Sequence, residues 1–406
     1  MNEQIKQRIT QLNNGEVPSG YKKTSVGIVP KEWTEHTLGD IFIFKNGLNK
    51  EKEAFGQGTP IVNYTDVWKK RGLRAKDICG RVTLSEKEIQ SYEAKAGDVF
   101  FTRTSETIDE IGYSSVLLED VENAVFSGFV LRARPYNNLV CKEYHQYCYS
   151  EPLMRQEIIK RSSMTTRALT SGPMLSQVAI NLPSQREQSK IAEILMKWDE
   201  AIELQEQYIK SLKRQKTSVM NTLFDFSNEC ILLFKDAVKP YKYKKELQTS
   251  QYQETGSIPI VDQGKNKIVG YTDDEDYVIY PPEKGLLLFG DHTTEVKYIN
   301  YDFAVGGDGV KLFEENDLCQ LKYVYYYLLA FPFLIEGYKR HYSILRNKPI
   351  KFPTVDGKID KKKTSEIVRV LSQLDEMIDL QIKKTEKTKK QRKTLQQYLL
   401  NGIVRV

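Results

Sequence analysis

The sequence predicts an α+β protein: two mixed α/β blocks separated by two long helices that form an antiparallel coiled coil, in a pseudo-twofold arrangement. Three observations lead there: an internal duplication, a heptad pattern common to both copies, and short strand-like runs in the stretches between. The duplication is the strongest. The segment IAEILMKWDEAIELQEQYIKSLKRQKTSVMNTLF, from Ile191, aligns without a gap on IVRVLSQLDEMIDLQIKKTEKTKKQRKTLQQYLL, from Ile367. Leu195/Leu371, Asp199/Asp375, Glu200/Glu376, Leu204/Leu380, Gln205/Gln381 and Gln215/Gln391 are identical pairs. Each copy follows a strand-like stretch ending in proline, VAINLP at Val178–Pro183 and KPIKFP at Lys348–Pro353.

Steps of four then three residues select Ile191, Leu195, Trp198, Ile202, Gln205, Ile209 and Leu212 in the first copy. In the second they select Ile367, Leu371, Leu374, Ile378, Gln381, Thr385 and Thr388. An apolar seam every 3.5 residues is what a coiled coil requires. No proline or glycine interrupts either copy, so each reads as one continuous helix roughly 50 Å long at 1.5 Å per residue. Leu195, Trp198, Ile202, Gln205, Leu371, Leu374, Ile378 and Gln381 are the residues expected to hold the helices together or to meet a partner. Gln205 and Gln381 mark matched polar layers, which fix register at some cost in stability.

The remaining sequence falls into two blocks, roughly 24–183 and 230–353. Runs such as DIFIF, GDVFFTRTS, YVIYP and GLLLFGD, bounded by Gly, Asp and Asn, read as strands and turns. Helical patterns sit late in each block, at Cys141–Arg161 and Leu321–Tyr338. Composition adds limits rather than a function. Hydrophobic residues make up 40% and charged residues 28% of 406, ordinary for a folded chain, and the net charge of +6 only permits an anionic partner. Five cysteines with no CxxC spacing fit reduced, buried thiols better than a disulfide frame or a zinc site. The polar start and the lack of a long apolar run predict a cytoplasmic protein.

Two similar blocks held apart by paired helices suit a duplex target with two separated half-sites. Polar and basic residues in loop-like surroundings supply the candidate contacts. In the first block these are Asn63, Tyr64 and Thr65, then Arg103, Thr104 and Ser105, then Thr165, Thr166 and Arg167 within RSSMTTRALTSG. In the second they are Gln263, Lys265, His292, Thr293, Thr294, Lys297, Arg340, His341 and Arg346. Arg, Lys, Asn, Gln and His donate to base edges in the major groove, while Ser and Thr commonly hold phosphates. The competing reading of any single one is an ordinary solvated loop. The sequence has no NPPY-like tetrapeptide, no glycine fingerprint for S-adenosylmethionine, no GxxxxGK[ST] phosphate loop and no zinc-spaced Cys/His set. No catalytic residue or metal ligand is therefore expected.

Three stretches resemble the specificity subunits of type I restriction–modification enzymes. GIVPKEWTEHTLGDI (27–41) is similar to the opening of their target recognition domains, and LPSQREQSKIAEIL (182–195) to the start of their first conserved helix. IPIVDQGKNKIVGYTD with LFGDHTTEVKYINYDFAVGGDGVKLF, within 258–313, is similar to a second recognition domain of one common subtype. The resemblance implies an N-terminal helical segment at 1–23, recognition domains at 24–183 and 230–353, and spacer helices at 184–229 and 354–406. It also implies a double-stranded DNA partner with a bipartite target, two methyltransferase subunits docked on the helices, and two motor–nuclease subunits. S-adenosylmethionine, ATP and Mg are expected on those partner subunits and none on this chain. FPTVDGKIDKKKTSEIV departs from the family at the second helix start, lacking the Glu-Gln pair after its proline. Two rival readings remain: a coiled-coil adaptor that binds proteins, and a self-contained methyltransferase, which the missing motifs disfavour.

Overall fold

A computed structural model describes residues 3–333 and 340–406. It divides the chain into two compact units, Met1–Leu204 with Thr385–Val406, and Gln205–Lys384. The first is built on a five-stranded sheet in the order Phe42–Asn46, Val130–Pro135, Val99–Thr102, Ser114–Leu117, Gly72–Leu73. Val99–Thr102 is buried along its whole length, which is why it reads as an unbroken apolar run. Its side chains still alternate. Val99 and Phe101 enter one core cluster with Tyr144, Tyr147, Ile191 and Leu195, while Phe100 enters another with Val62, Val67 and Phe126. Beside it lies a three-stranded sheet, Val125–Phe126, Phe55–Val62, Arg81–Val82, whose first pair is parallel.

The second unit repeats this plan. Its main sheet runs Val238–Tyr241, Val310–Glu315, Leu286–Gly290, Val296–Ile299, every pair antiparallel. Leu286–Gly290 is again fully buried; Leu287 and Phe289 face one cluster, Leu286 and Leu288 the other. The companion sheet again holds a parallel pair, Ile258–Val261 on Phe303–Val305.

The expected long helices form at Gln185–Leu223 and Lys361–Leu400. Each starts on a capping side chain. Ser184 Oγ accepts from the Glu187 amide at 3.3 Å, and Asp360 Oδ1 accepts from the Lys363 amide at 2.9 Å. All the heptad positions named above are buried or half-buried, while most residues between them are exposed. Within the first unit, Ile191 and Leu195 share a cluster with Leu399 and Leu400, and Asp199 pairs with Arg392, so the two helix ends run antiparallel. Within the second, Met220 shares a cluster with Ile367 and Leu371 while Lys216 pairs with Asp375, again antiparallel.

Three expectations change. The pattern at Cys141–Arg161 is not one helix: a 3-10 turn at Tyr144–Gln146 is followed by a helix at Pro152–Arg161. Pro152 forces Glu151 into an extended conformation, and the Glu151 carboxylate then caps the new helix through the Leu153 and Met154 amides. The pattern at Leu321–Tyr338 forms a helix at Leu321–Ala330, stopped ahead of Pro332; its remainder to Tyr338 falls mostly outside the described residues. All five cysteines are free, as expected, but only Cys148 and Cys319 are buried and Cys79 is exposed.

Candidate nucleic-acid interface

In the first unit the fold gathers three clusters that are far apart in sequence. Asn63 follows the strand Phe55–Val62, buried only at its end, and starts the short helix Tyr64–Lys69, its amide donating to the Asp66 carboxylate at 2.9 Å. Thr104–Ser105 forms the edge of a small sheet whose other strands are Ala168–Leu169 and Ser163–Met164. The turn between those two strands carries Thr165, Thr166 and Arg167, all exposed. Tyr64, Thr104, Ser105 and Arg167 then line a single open cleft of about 430 Å³, together with Trp68, Glu106, Glu110 and Phe129. Arg167 pairs with Glu106 at 3.0 Å, and the buried Ser105 hydroxyl donates to Glu110 at 3.4 Å. Arg103 is half-buried beneath, its guanidinium donating to the Gly128 carbonyl at 3.5 Å.

Trp68 and Phe129 are 49% and 60% exposed, unusual for residues of their size. Neither belongs to the polar clusters the sequence singles out. A signal for Trp68 exists, since it lies one helical turn after Tyr64 and so shares its face. Phe129 carries none: it follows the buried run AVFSG and reads as core.

In the second unit, Gln263, His292, Thr293 and Thr294 also converge, but on each other. Gln263 Nε2 donates to the Asp308 carbonyl at 3.1 Å, and its Oε1 accepts from the His292 amide at 3.1 Å. Thr293 Oγ1 donates to the Gln263 carbonyl, and Thr294 holds a left-handed φ of 58°. Lys297 spends its ammonium on the Asp262 and Asn266 carbonyls at 2.7 and 2.6 Å; burial pushes it below the usual lysine range. His341 is enclosed at 1% exposure, its amide donating to the Asp291 carbonyl at 2.8 Å. Lys265, Arg340 and Arg346 are exposed. The second set therefore divides into a bonded loop junction and three outward cations.

On the helices, Leu195 and Leu371 are fully buried and Ile378 is nearly so, while Trp198, Ile202, Gln205, Leu374 and Gln381 are half-buried. The duplication also places one leucine of each helix in solvent, Leu204 at 65% and Leu380 at 69% exposure. A polar node sits at each helix pairing, with its cation largely buried and its carboxylate part-exposed. Arg392 contacts Asp199 at 2.8 and 2.9 Å, Tyr147 donates to Asp199 at 3.1 Å, and Arg392 lies over the Tyr147 ring. In the second unit Lys216 pairs with Asp375, Tyr326 donates to Asp375 at 2.8 Å, and Lys216 lies over the Tyr326 ring. Among the described residues no cluster of His, Cys, Asp and Glu is placed to hold a metal ion. Nor is any helix among them long and apolar enough to cross a membrane.

A family model described as the type I restriction modification DNA specificity domain matches residues 30–214. The specificity subunit of the Escherichia coli type I restriction enzyme EcoR124I/EcoR124II is 34% identical over 140 residues, 33% of this chain and 34% of that protein. This match therefore spans about a third of the E. coli subunit. A putative type I restriction enzyme specificity subunit, MjaX of Methanocaldococcus jannaschii, is 24% identical over 428 aligned residues, 95% of this chain and 97% of the relative. Among solved structures, the S subunit of a type I restriction–modification system from M. genitalium has the same fold. It superposes with a TM-score of 0.53 at 14% identity, over 90% of this chain and 96% of that one.

Proposed function

We infer that this chain is a member of the type I restriction–modification DNA specificity family, that it reads DNA sequence for such a system and that it performs no catalysis of its own; the family model over residues 30–214 and the similar specificity subunits support this reading. The observation that carries this reading is the convergence of Tyr64, Thr104, Ser105 and Arg167, from three clusters far apart in sequence, on one cleft, in a frame that the second unit repeats. Each recognition domain, 24–183 and 230–353, reads one half of a bipartite target in double-stranded DNA. In the first, Tyr64, Thr65, Thr104, Thr165, Thr166 and Arg167 meet the duplex, with Asn63, Arg103 and Ser105 supporting them. In the second, Lys265, Arg340 and Arg346 make contact, together with the edge of the loop that Gln263, Lys297 and His341 hold in place. Each well-formed bidentate contact to a base discriminates by ~1–3 kcal/mol.

The helices, at 184–229 and 354–406, set the spacing between half-sites and dock two modification subunits. The exposed Leu204 and Leu380 suit the docking role. Those subunits bring S-adenosylmethionine and the pocket for an extruded adenine, since a base must leave the stack to be methylated. Two restriction subunits, with ATP and Mg, complete the assembly. The test is to map N6-methyladenine across the genome that encodes this chain, with and without its gene. Two half-sites separated by a fixed unread gap are expected. One uninterrupted target, or methyl transfer by the purified chain alone, overturns the reading.

A further inference from the structure

The cleft in the first unit sets two carboxylates, which repel a phosphate, beside exposed aromatic rings. Glu106 and Glu110 line it; Arg167 pairs with Glu106 at 3.0 Å, while the Glu110 carboxylate accepts from the Ser105 hydroxyl at 3.4 Å. A carboxylate is an acceptor only. Along the major groove the donors are the exocyclic amino groups of adenine and cytosine. The opposite character of the cleft is apolar: Trp68 and Phe129 stand exposed in its wall, beside Tyr64. The apolar group on a major-groove edge is the thymine methyl. An amino donor and a methyl occur together on one base pair only, A·T, with thymine O4 between them. The cleft is also open rather than enclosed, so it suits an edge presented by a stacked pair and not an extruded base.

We propose that the Trp68–Phe129 cleft reads one A·T pair of the first half-site, with the thymine methyl against the two aromatic rings and the adenine amino group on Glu110. Thr104, on the same wall, donates its hydroxyl to thymine O4. This rests on the DNA-reading function above and names the specificity-determining residues within it.

The test uses the full chain with its modification subunits, without S-adenosylmethionine, on duplexes carrying the mapped target. Each thymine of the half-site is replaced in turn by deoxyuridine, which removes only the methyl. Burying one methyl predicts binding weaker by roughly fourfold at one position. That penalty disappears in Trp68→Ala and in Phe129→Ala. Replacing the adenine opposite by purine, which lacks the amino group, weakens binding by roughly tenfold, and Glu110→Ala abolishes that difference. Sequence-specific binding with no deoxyuridine penalty at any position, or a penalty that persists in both aromatic variants, overturns the A·T assignment and leaves DNA reading intact. Binding without sequence preference overturns both. The deoxyuridine series needs no variant, so a folding defect in one cannot decide the outcome.

Discussion

The two units share a frame and differ where the frame meets solvent. In the first, the central strand Val99–Thr102 runs out into Arg103–Ser105, beside an open cleft walled by Trp68 and Phe129. In the second, the equivalent strand Leu286–Gly290 runs into a loop that is bonded shut by Gln263. Glycine permits that closure: a Cβ on Gly290 would lie 2.2 Å from Thr293 Oγ1, and one on Gly309, at φ +79°, 2.9 Å from Gln263 Nε2. The difference teaches that duplication preserved what buries apolar surface and left the tips to diverge. Loops placed on a rigid scaffold are where recognition changes at least cost to stability.

The largest effect should come from exchanging residues 24–183 for the corresponding block of a relative. Half of the methylated target should change completely and the other half should stay. New bases appearing in both halves would mean that the units read jointly, and the comparison would collapse.

A second contrast is electrostatic. His145 is enclosed, its ring within 2.7 Å of the Tyr149 hydroxyl, and burial holds its pKa down at about 3. The second unit has Val324 at the matching place, two positions before the tyrosine that caps the helix node. A histidine depressed in the folded state gives full stability above its unfolded value, near 6.5, and loses it as pH falls toward 3. The first unit should therefore lose roughly 1.4 kcal/mol for each pH unit below about 6, or about 3 kcal/mol by pH 4. Trp33, Trp68 and Trp198 all belong to that unit, so tryptophan fluorescence during urea unfolding reports it alone. His145→Gln keeps a hydrogen-bonding side chain and should flatten the slope from this group. An unchanged slope in that variant would assign the acid sensitivity elsewhere.

The helix nodes differ by one residue. Arg392 binds Asp199 through two nitrogens with its side chain 8% exposed, whereas Lys216 offers Asp375 a single ammonium. Removing one partner of a buried pair strands the other charge. Arg392→Met should cost about 2 kcal/mol and Lys216→Met about 1 kcal/mol by chemical denaturation, because Asp199 and Asp375 remain part-exposed and solvent relieves both. Equal losses would remove the distinction between guanidinium and ammonium at these nodes.

Much of the frame was legible in sequence because it is periodic. The seam from Ile191 to Leu212 and from Ile367 to Thr388 is buried or half-buried at its expected positions, and the runs VFFT and LLLFG are central strands. The break before Pro152 was readable from proline chemistry, yet the apolar pattern through Cys141–Arg161 masked it. The cleft was only half legible. Polar clusters announced Thr104, Ser105 and Arg167, but an exposed Phe129 looks like any core phenylalanine until the fold places it. In the second unit, sequence could not tell a side chain that presents itself from one that ties a loop. Gln263, Lys297 and His341 have donors suited to DNA and spend them on backbone carbonyls or lie enclosed.

The smallest effect tests that last distinction. Gln263 and Asn63 hold similar places, each following a strand of its companion sheet, but their amides do different work. Gln263 bridges the His292 amide and the Asp308 carbonyl, joining two loops. Asn63 Nδ2 reaches only the Ile61 carbonyl of its own strand, at 3.3 Å. A typical hydrogen bond contributes about 1 kcal/mol net, so Gln263→Ala should destabilise by about 1 kcal/mol and Asn63→Ala by about 0.5 kcal/mol. The sharper readout is local. Amide hydrogen exchange at His292 should accelerate in Gln263→Ala while the strand Leu286–Gly290 keeps its protection, because the loop opens without unfolding the sheet. Asn63→Ala should leave exchange in the loop 103–107 unaltered. Binding should follow the same split: Gln263→Ala weakens discrimination across the whole second half-site, since a loosened loop blurs every contact it carries. Loss of discrimination at one base alone would instead make Gln263 a reader of that base, and its bonds to His292 and Asp308 would be a resting arrangement that DNA replaces.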